Sequence, residues 1–111
     1  MNLPPFIKAF PALDVPFPSD IVETHAIRSD AGLVVFFDFH NDMELPPHSH
    51  LAQWGTLLDG EIEMTIAGVT ENKRPGDTWD IPADAEHSAI IKAGSKAIDV
   101  FEEADRYPVK S

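Results

Sequence analysis

The chain has 111 residues, 43% of them apolar, which is enough for one globular core and too few for two. Eight Lys and Arg against 19 Asp and Glu give a net charge of −11, a balance that repels nucleic-acid phosphates and anionic membrane surfaces, so neither is expected as a partner. With no cysteine, disulfides, thiolate catalysis and cysteine-held zinc or iron–sulfur centres are excluded, and any metal must be held by His, carboxylate or amide groups. The opening Met1-Asn2-Leu3-Pro4-Pro5 lacks the basic and apolar stretches of a secretory signal, and no apolar run approaches the roughly 18 residues of a membrane span, so a cytoplasmic location is expected.

Five of the ten prolines (Pro4, Pro5, Pro11, Pro16 and Pro18) fall in the first 18 residues, where they withhold backbone donors and forbid a helix interior. Residues 1–20 therefore read as an extended arm, with Phe6, Ile7, Phe10 and Phe17 as its anchors against a sheet edge or a neighbouring subunit. Residues 21–111 read as a single all-β domain. Short apolar or alternating runs are cut by turn residues, which predicts strands at roughly 23–28, 33–40, 46–50, 53–59, 61–67, 70–74, 78–81, 87–92 and 97–103. In Glu61-Ile62-Glu63-Met64-Thr65-Ile66 the alternation puts Ile62, Met64 and Ile66 on the buried face. Leu33-Val34-Val35-Phe36-Phe37 is apolar on both faces and needs cover on both, from an opposite sheet or a partner chain.

Of the five histidines, His48 and His50 are spaced i, i+2, which on a strand aims both rings to one face. Two such imidazoles can meet one cation at about 2.0–2.1 Å. The same spacing also suits a pair of surface histidines. The setting decides between them. The stretch His48-Ser49-His50-Leu51-Ala52-Gln53 through Gly60 resembles the first signature of the cupin family, G-x5-H-x-H-x3,4-E-x6-G, with Gln53 at the glutamate position. Gly76, Pro82 and His87 match the second signature, G-x5-P-x-G-x2-H-x3-N. Asp42 replaces the opening Gly of the first motif, Asp84 the Gly of P-x-G and Ile91 the closing Asn, and His50 and Gln53 are separated by only Leu51-Ala52. The left-handed turn at position 84 can survive, because Asp tolerates that conformation.

The resemblance implies a double-stranded β-helix (jelly-roll) barrel, one divalent transition metal per chain (Fe, Mn, Ni, Zn or Cu) held by His48, His50, Gln53 and His87, and a homodimer. His25 and His40 match neither motif and are expected at the surface or a strand edge. The alternative is a metal-free barrel whose histidines bond to backbone and water.

Ala97-Ile98-Asp99-Val100-Phe101 carries one carboxylate in an apolar strand. If Asp99 and Phe101 point inward, the carboxylate joins the metal and can handle a proton; otherwise it lies on the solvated face. Asp99 followed by Arg106 resembles the end of the small cupins that linearise unsaturated uronates. That resemblance implies Asp99 and Arg106 as catalytic residues, one working on the proton and the other gripping a substrate carboxylate. Arg106 could instead pair with the preceding acids on the surface. Trp54 and Trp79 read as core or subunit-contact residues, with Trp54, Thr56 and Leu58 on an outward face that a second copy would cover.

A metal held by three imidazoles and an amide keeps its full +2 charge, which suits Lewis-acid chemistry more than oxygen activation. The expected function is that of a metal-dependent, non-oxidative enzyme (isomerase- or lyase-like) on a small carboxylated sugar-like or keto-acid compound. Alternatives are a small-ligand binder or sensor, and an Fe(II) dioxygenase.

Overall fold

The computed structural model describes residues 1–110. Nine strands follow one another: β1 (Val22–Ser29), β2 (Gly32–Phe39), β3 (Met43–His48), β4 (Gln53–Asp59), β5 (Ile62–Ile66), β6 (Val69–Lys73), β7 (Thr78–Ile81), β8 (His87–Ile91) and β9 (Lys96–Phe101). All nine predicted strands are present. The largest displacement is at β3, which begins at Met43 and ends at His48, so His50 lies in the connection beyond it. The strands form a five-stranded sheet in the order β1-β2-β9-β4-β7 and a four-stranded sheet in the order β3-β8-β5-β6, with every pairing antiparallel. No helix among the described residues is long and apolar enough to cross a membrane.

Period-two alternation builds the core between the sheets. Leu33, Val35 and Phe37 of β2 and Ala97 and Phe101 of β9 meet Ile62 and Met64 of β5 and Ala89 and Ile91 of β8 in one buried cluster. Ile66 packs against that cluster half-buried, as its place in the alternation predicts. In the five-stranded sheet, Val35, Asp99, Gly55 and Trp79 are successive register partners across β2, β9, β4 and β7. This row carries a carboxylate into the barrel interior.

At Phe36, part of the cover over the outer face of β2 comes from the N-terminal residues: Phe10 packs on that ring, with centroids 6.1 Å apart. Residues 1–20 are not uniformly extended, because Pro5–Lys8 forms a single helical turn. Pro5 stands at the start of that turn, where its missing N–H costs nothing.

Of the expected anchors, Phe10 and Phe17 pack against the barrel, but Phe6 is 68% exposed, whereas Leu13 is 1% exposed and Leu3 is also buried. Leu13 is fixed by its backbone, whose N–H donates to Thr24 Oγ1 at 2.9 Å, and it bridges to Val109. The N–H of Ala26 donates to Pro11 O at 2.8 Å, that of Asp14 to Pro108 O at 2.7 Å, and that of Lys110 to Ala12 O at 2.9 Å. The proline-rich start of the chain is thus laid between β1 and the C-terminal residues.

Leu13→Ala should lower stability by about 3 kcal/mol, the usual cost of truncating a fully buried Leu, while Phe6→Ala should change it by less than about 0.5 kcal/mol. Urea unfolding of both variants checks this.

Candidate metal centre

His48 closes β3 and is the register partner of His87, the first residue of β8. A register shift between Leu45 and His48, at Pro46-Pro47, brings the His48 ring into place. Its centroid lies 4.1 Å from that of His87 and 5.4 Å from that of His50. His50 is positioned by its connection. Asp84, in the left-handed conformation at φ 67°, donates its N–H to His50 O at 2.8 Å. The short corner after His50 is held by two acids: Leu51 N–H donates to Glu103 Oε1 at 2.8 Å and Ala52 N–H to Glu102 Oε1 at 3.0 Å.

Each of the three rings bonds a backbone carbonyl through Nδ1: His48 to Pro46 O at 2.8 Å, His50 to Leu51 O at 2.7 Å and His87 to Ala85 O at 3.0 Å. A carbonyl can only accept, so Nδ1 carries the hydrogen in all three and Nε2 carries the lone pair. One potential ligand nitrogen from each ring lies within 4.8 Å of the others, and His87 Nε2 is buried with no protein partner. Three lone pairs so close together repel one another unless a cation sits between them. The donor set, with its backbone-fixed tautomers, fits a divalent transition metal. Burial, the largest cause, pushes His50 and His87 below the ordinary imidazole range against the opposing carbonyl bonds, with smaller lowering contributions from the neighbouring rings and the charge of Arg106. That shift favours the neutral ring, the form that ligation requires.

Gln53, the first residue of β4, lines the same cavity. Its Nε2 donates to Asp99 Oδ1 at 2.7 Å, which turns the amide oxygen away as the end a metal could use. Trp79 Nε1–H also donates to Asp99 Oδ1 at 2.7 Å. Asp99 is 6% exposed, and burial pushes its carboxyl up to about 6, although the Gln53 and Trp79 bonds oppose this. Gly55 makes the arrangement possible, since a Cβ there would overlap both Trp79 Nε1 and the Asp99 carboxylate. Trp79 is a core residue as expected, but its indole N–H also orients the carboxylate, a role the sequence reading missed. A glycine inside an apolar strand was the available signal for that close approach.

The cavity behind the histidines measures about 60 Å³. At its mouth, an open groove is lined by His48, Phe17, Leu45, Arg106 and Tyr107. The Arg106 guanidinium lies 5.1 Å from the Tyr107 ring centroid, with its Nε buried and unpartnered. The acids before it do not pair with it, because Glu102 and Glu103 hold the corner after His50. His25 and His40 lie elsewhere, and Glu23 joins them, its Oε1 2.9 Å from His25 Nε2 and its Oε2 3.1 Å from His40 Nε2. His40 is exposed as expected, and His25, although buried, lies on β1, the edge strand of its sheet.

No protein-family model and no curated protein matches this sequence. Solved structures do match. An RmlC-like cupin from Shewanella frigidimarina superposes with a TM-score of 0.75 at 21% identity, over 89% of this chain and 88% of its own. The fold is that of the cupins. KdgF from Halomonas sp. matches with a TM-score of 0.70 at 22% identity, over 90% of this chain and 87% of its own. Oxalate decarboxylase of Bacillus subtilis, an enzyme with Mn(II) centres, matches with a TM-score of 0.70 at 17% identity, over 88% of this chain and 28% of its own. The cupin barrel seen here is thus comparable in extent to the whole Shewanella and Halomonas chains.

Gly55→Ala should destabilise the barrel by about 1–3 kcal/mol through overpacking, visible as a lower melting temperature. The raised acidity constant of Asp99 sets a second expectation. Folding favours its protonated form, so stability of chelator-treated protein should fall as pH rises from about 4 to 6. Asp99→Asn removes the buried charge, and melting curves should show it gaining on the parent at pH 8 but not at pH 4.

Proposed function

We propose that this chain is a metal-dependent, non-oxidative enzyme acting on a small carboxylated sugar-like or keto-acid compound. The observation that carries this reading is the convergence of three backbone-fixed imidazoles beside a buried carboxyl in one cavity. His48, His50 and His87, with the Gln53 oxygen as fourth donor, would hold the ion. When bound, a divalent metal with four neutral ligands supplies Lewis acidity toward carbonyl and carboxylate oxygens.

The chain's own groups do the rest. Arg106, at the mouth beside His48, binds the substrate carboxylate as a fixed cation. Asp99 is oriented through Oδ1 by both Gln53 and Trp79, which leaves Oδ2 to take a proton from, or return it to, the substrate carbon. The apolar walls exclude bulk water from that exchange. The resemblance to uronate-linearising cupins and the likeness to an oxalate-acting enzyme both support a carboxylated substrate.

Purified protein should contain about one transition metal per chain by elemental analysis, and His87→Ala should lose it. Across a panel of keto acids and unsaturated uronates followed by NMR, Asp99→Asn should retain metal and lose turnover by about 10²-fold or more. Arg106→Ala should chiefly raise KM. Tight binding from the panel without any product would instead identify a binder or sensor, and iron-dependent oxygen consumption would identify a dioxygenase.

We also propose a homodimer. Ile27, Val34, Val100 and Trp54 are successive register partners that form an apolar row on the outer face of the five-stranded sheet, and Trp54 is 44% exposed. Light scattering should give twice the chain mass for the parent and the single mass for Trp54→Glu.

A further inference from the structure

Cavity size and wall chemistry narrow the substrate beyond the class just proposed. The cavity of about 60 Å³ is several times the roughly 10–15 Å³ that admits a single water, which suits a small ligand. Away from the histidines its walls are Phe37, Phe39, Ile62, Met64, Ile91 and Ala97, whose side chains offer no hydrogen-bonding atom beyond the weakly accepting Met64 thioether. The polar groups that do face it are largely committed. The three Nδ1–H groups are bonded to backbone carbonyls, and the Gln53 and Trp79 N–H groups are both bonded to Asp99. What remains for a ligand is three Nε2 lone pairs, the Gln53 oxygen, Asp99 Oδ2, the hydroxyls of Ser88 beside His87 and Tyr107 beside Arg106, and, at the mouth, the Arg106 guanidinium, all on residues outside that apolar wall.

A ligand that satisfies this distribution has its oxygens at one end and hydrocarbon at the other. A sugar acid carries a hydroxyl on nearly every carbon, and those placed against the Phe37–Met64 side would leave water without finding a partner. We infer that the substrate is a short-chain 2-oxo monocarboxylate with an unsubstituted alkyl body, not a polyhydroxylated sugar acid. This rests on the metal-centred reading of the site and selects between the two compound classes named in it. The carboxylate meets Arg106, the adjacent carbonyl oxygen lies at the histidine end, and the alkyl chain fills the space between Phe39 and Met64. Asp99 then lies on the same cavity as the carbon next to the carbonyl, the position whose proton a 2-oxo acid gives up most readily.

The test is calorimetric titration of Mn(II)-loaded protein, its metal content measured first, with pyruvate, 2-oxobutanoate, 2-oxopentanoate, 2-oxohexanoate and galacturonate. Each added methylene should tighten Kd by about three- to fourfold until the cavity is full, and galacturonate should bind more weakly than 2-oxobutanoate. Met64→Ala, which removes none of the proposed metal ligands, should let the gain continue to a longer chain at unchanged metal content; Phe39→Leu serves the same purpose if the first variant melts too low. Full metal content with a flat chain-length series, or with galacturonate the tightest binder, overturns this inference and leaves the metal-centred reading standing. Failure to take up metal overturns both.

Discussion

The carbonyls of Pro46, Leu51 and Ala85 are the constraint on which the site depends. By taking the Nδ1 hydrogen of His48, His50 and His87, they leave the Nε2 lone pairs of three clustered rings without a protein donor, that of His87 buried. Imidazoles free to change tautomer could relieve that crowding by donating to a neighbour. Held by backbone, they cannot, so the folded chain carries an electrostatic conflict that a cation resolves. The rest of the local architecture keeps those carbonyls in place: the irregular register at Pro46-Pro47, the left-handed Asp84 and the two glutamates holding the corner after His50.

A second constraint works across the sheet. Gly55 lies between Asp99 and Trp79 in register, and its missing Cβ is the space in which indole and carboxylate meet. The cavity floor is therefore a consequence of sheet pairing, and the acid is placed by two neutral donors without any cation beside it. That explains why burial dominates its proton affinity. It also separates two electrostatic regions, with the metal donors and Asp99 inside and the one positive side chain of the site at the entrance.

Much of this was legible in the sequence, because strand alternation and turn residues are local signals. All nine strands follow from them, whereas the direction of Asp99 stayed open between the interior and the solvated face, and the grouping of the three histidines rested on the likeness of their spacing to the cupin motifs. What escaped was set by contacts between distant segments. Leu3 and Leu13, not Phe6, are the buried anchors of the N-terminal residues, because a helical turn at Pro5–Lys8 directs Phe6 outward and pairing with Val109 directs Leu13 inward. Glu102 and Glu103 offered an alternative partner for Arg106, yet they satisfy backbone donors some 50 residues away. The tautomer lock was invisible for the same reason: sequence shows an imidazole, but not which carbonyl faces it.

The entrance groove is bordered on one side by Asp14–Phe17 and on the other by Arg106–Pro108, and the Asp14–Pro108 and Leu13–Val109 pairings stitch these borders together. The doorway is thus a seam between segments some ninety positions apart in sequence, 14–17 and 106–108. Removing either segment would unpick the frame around the opening and change what can pass through it.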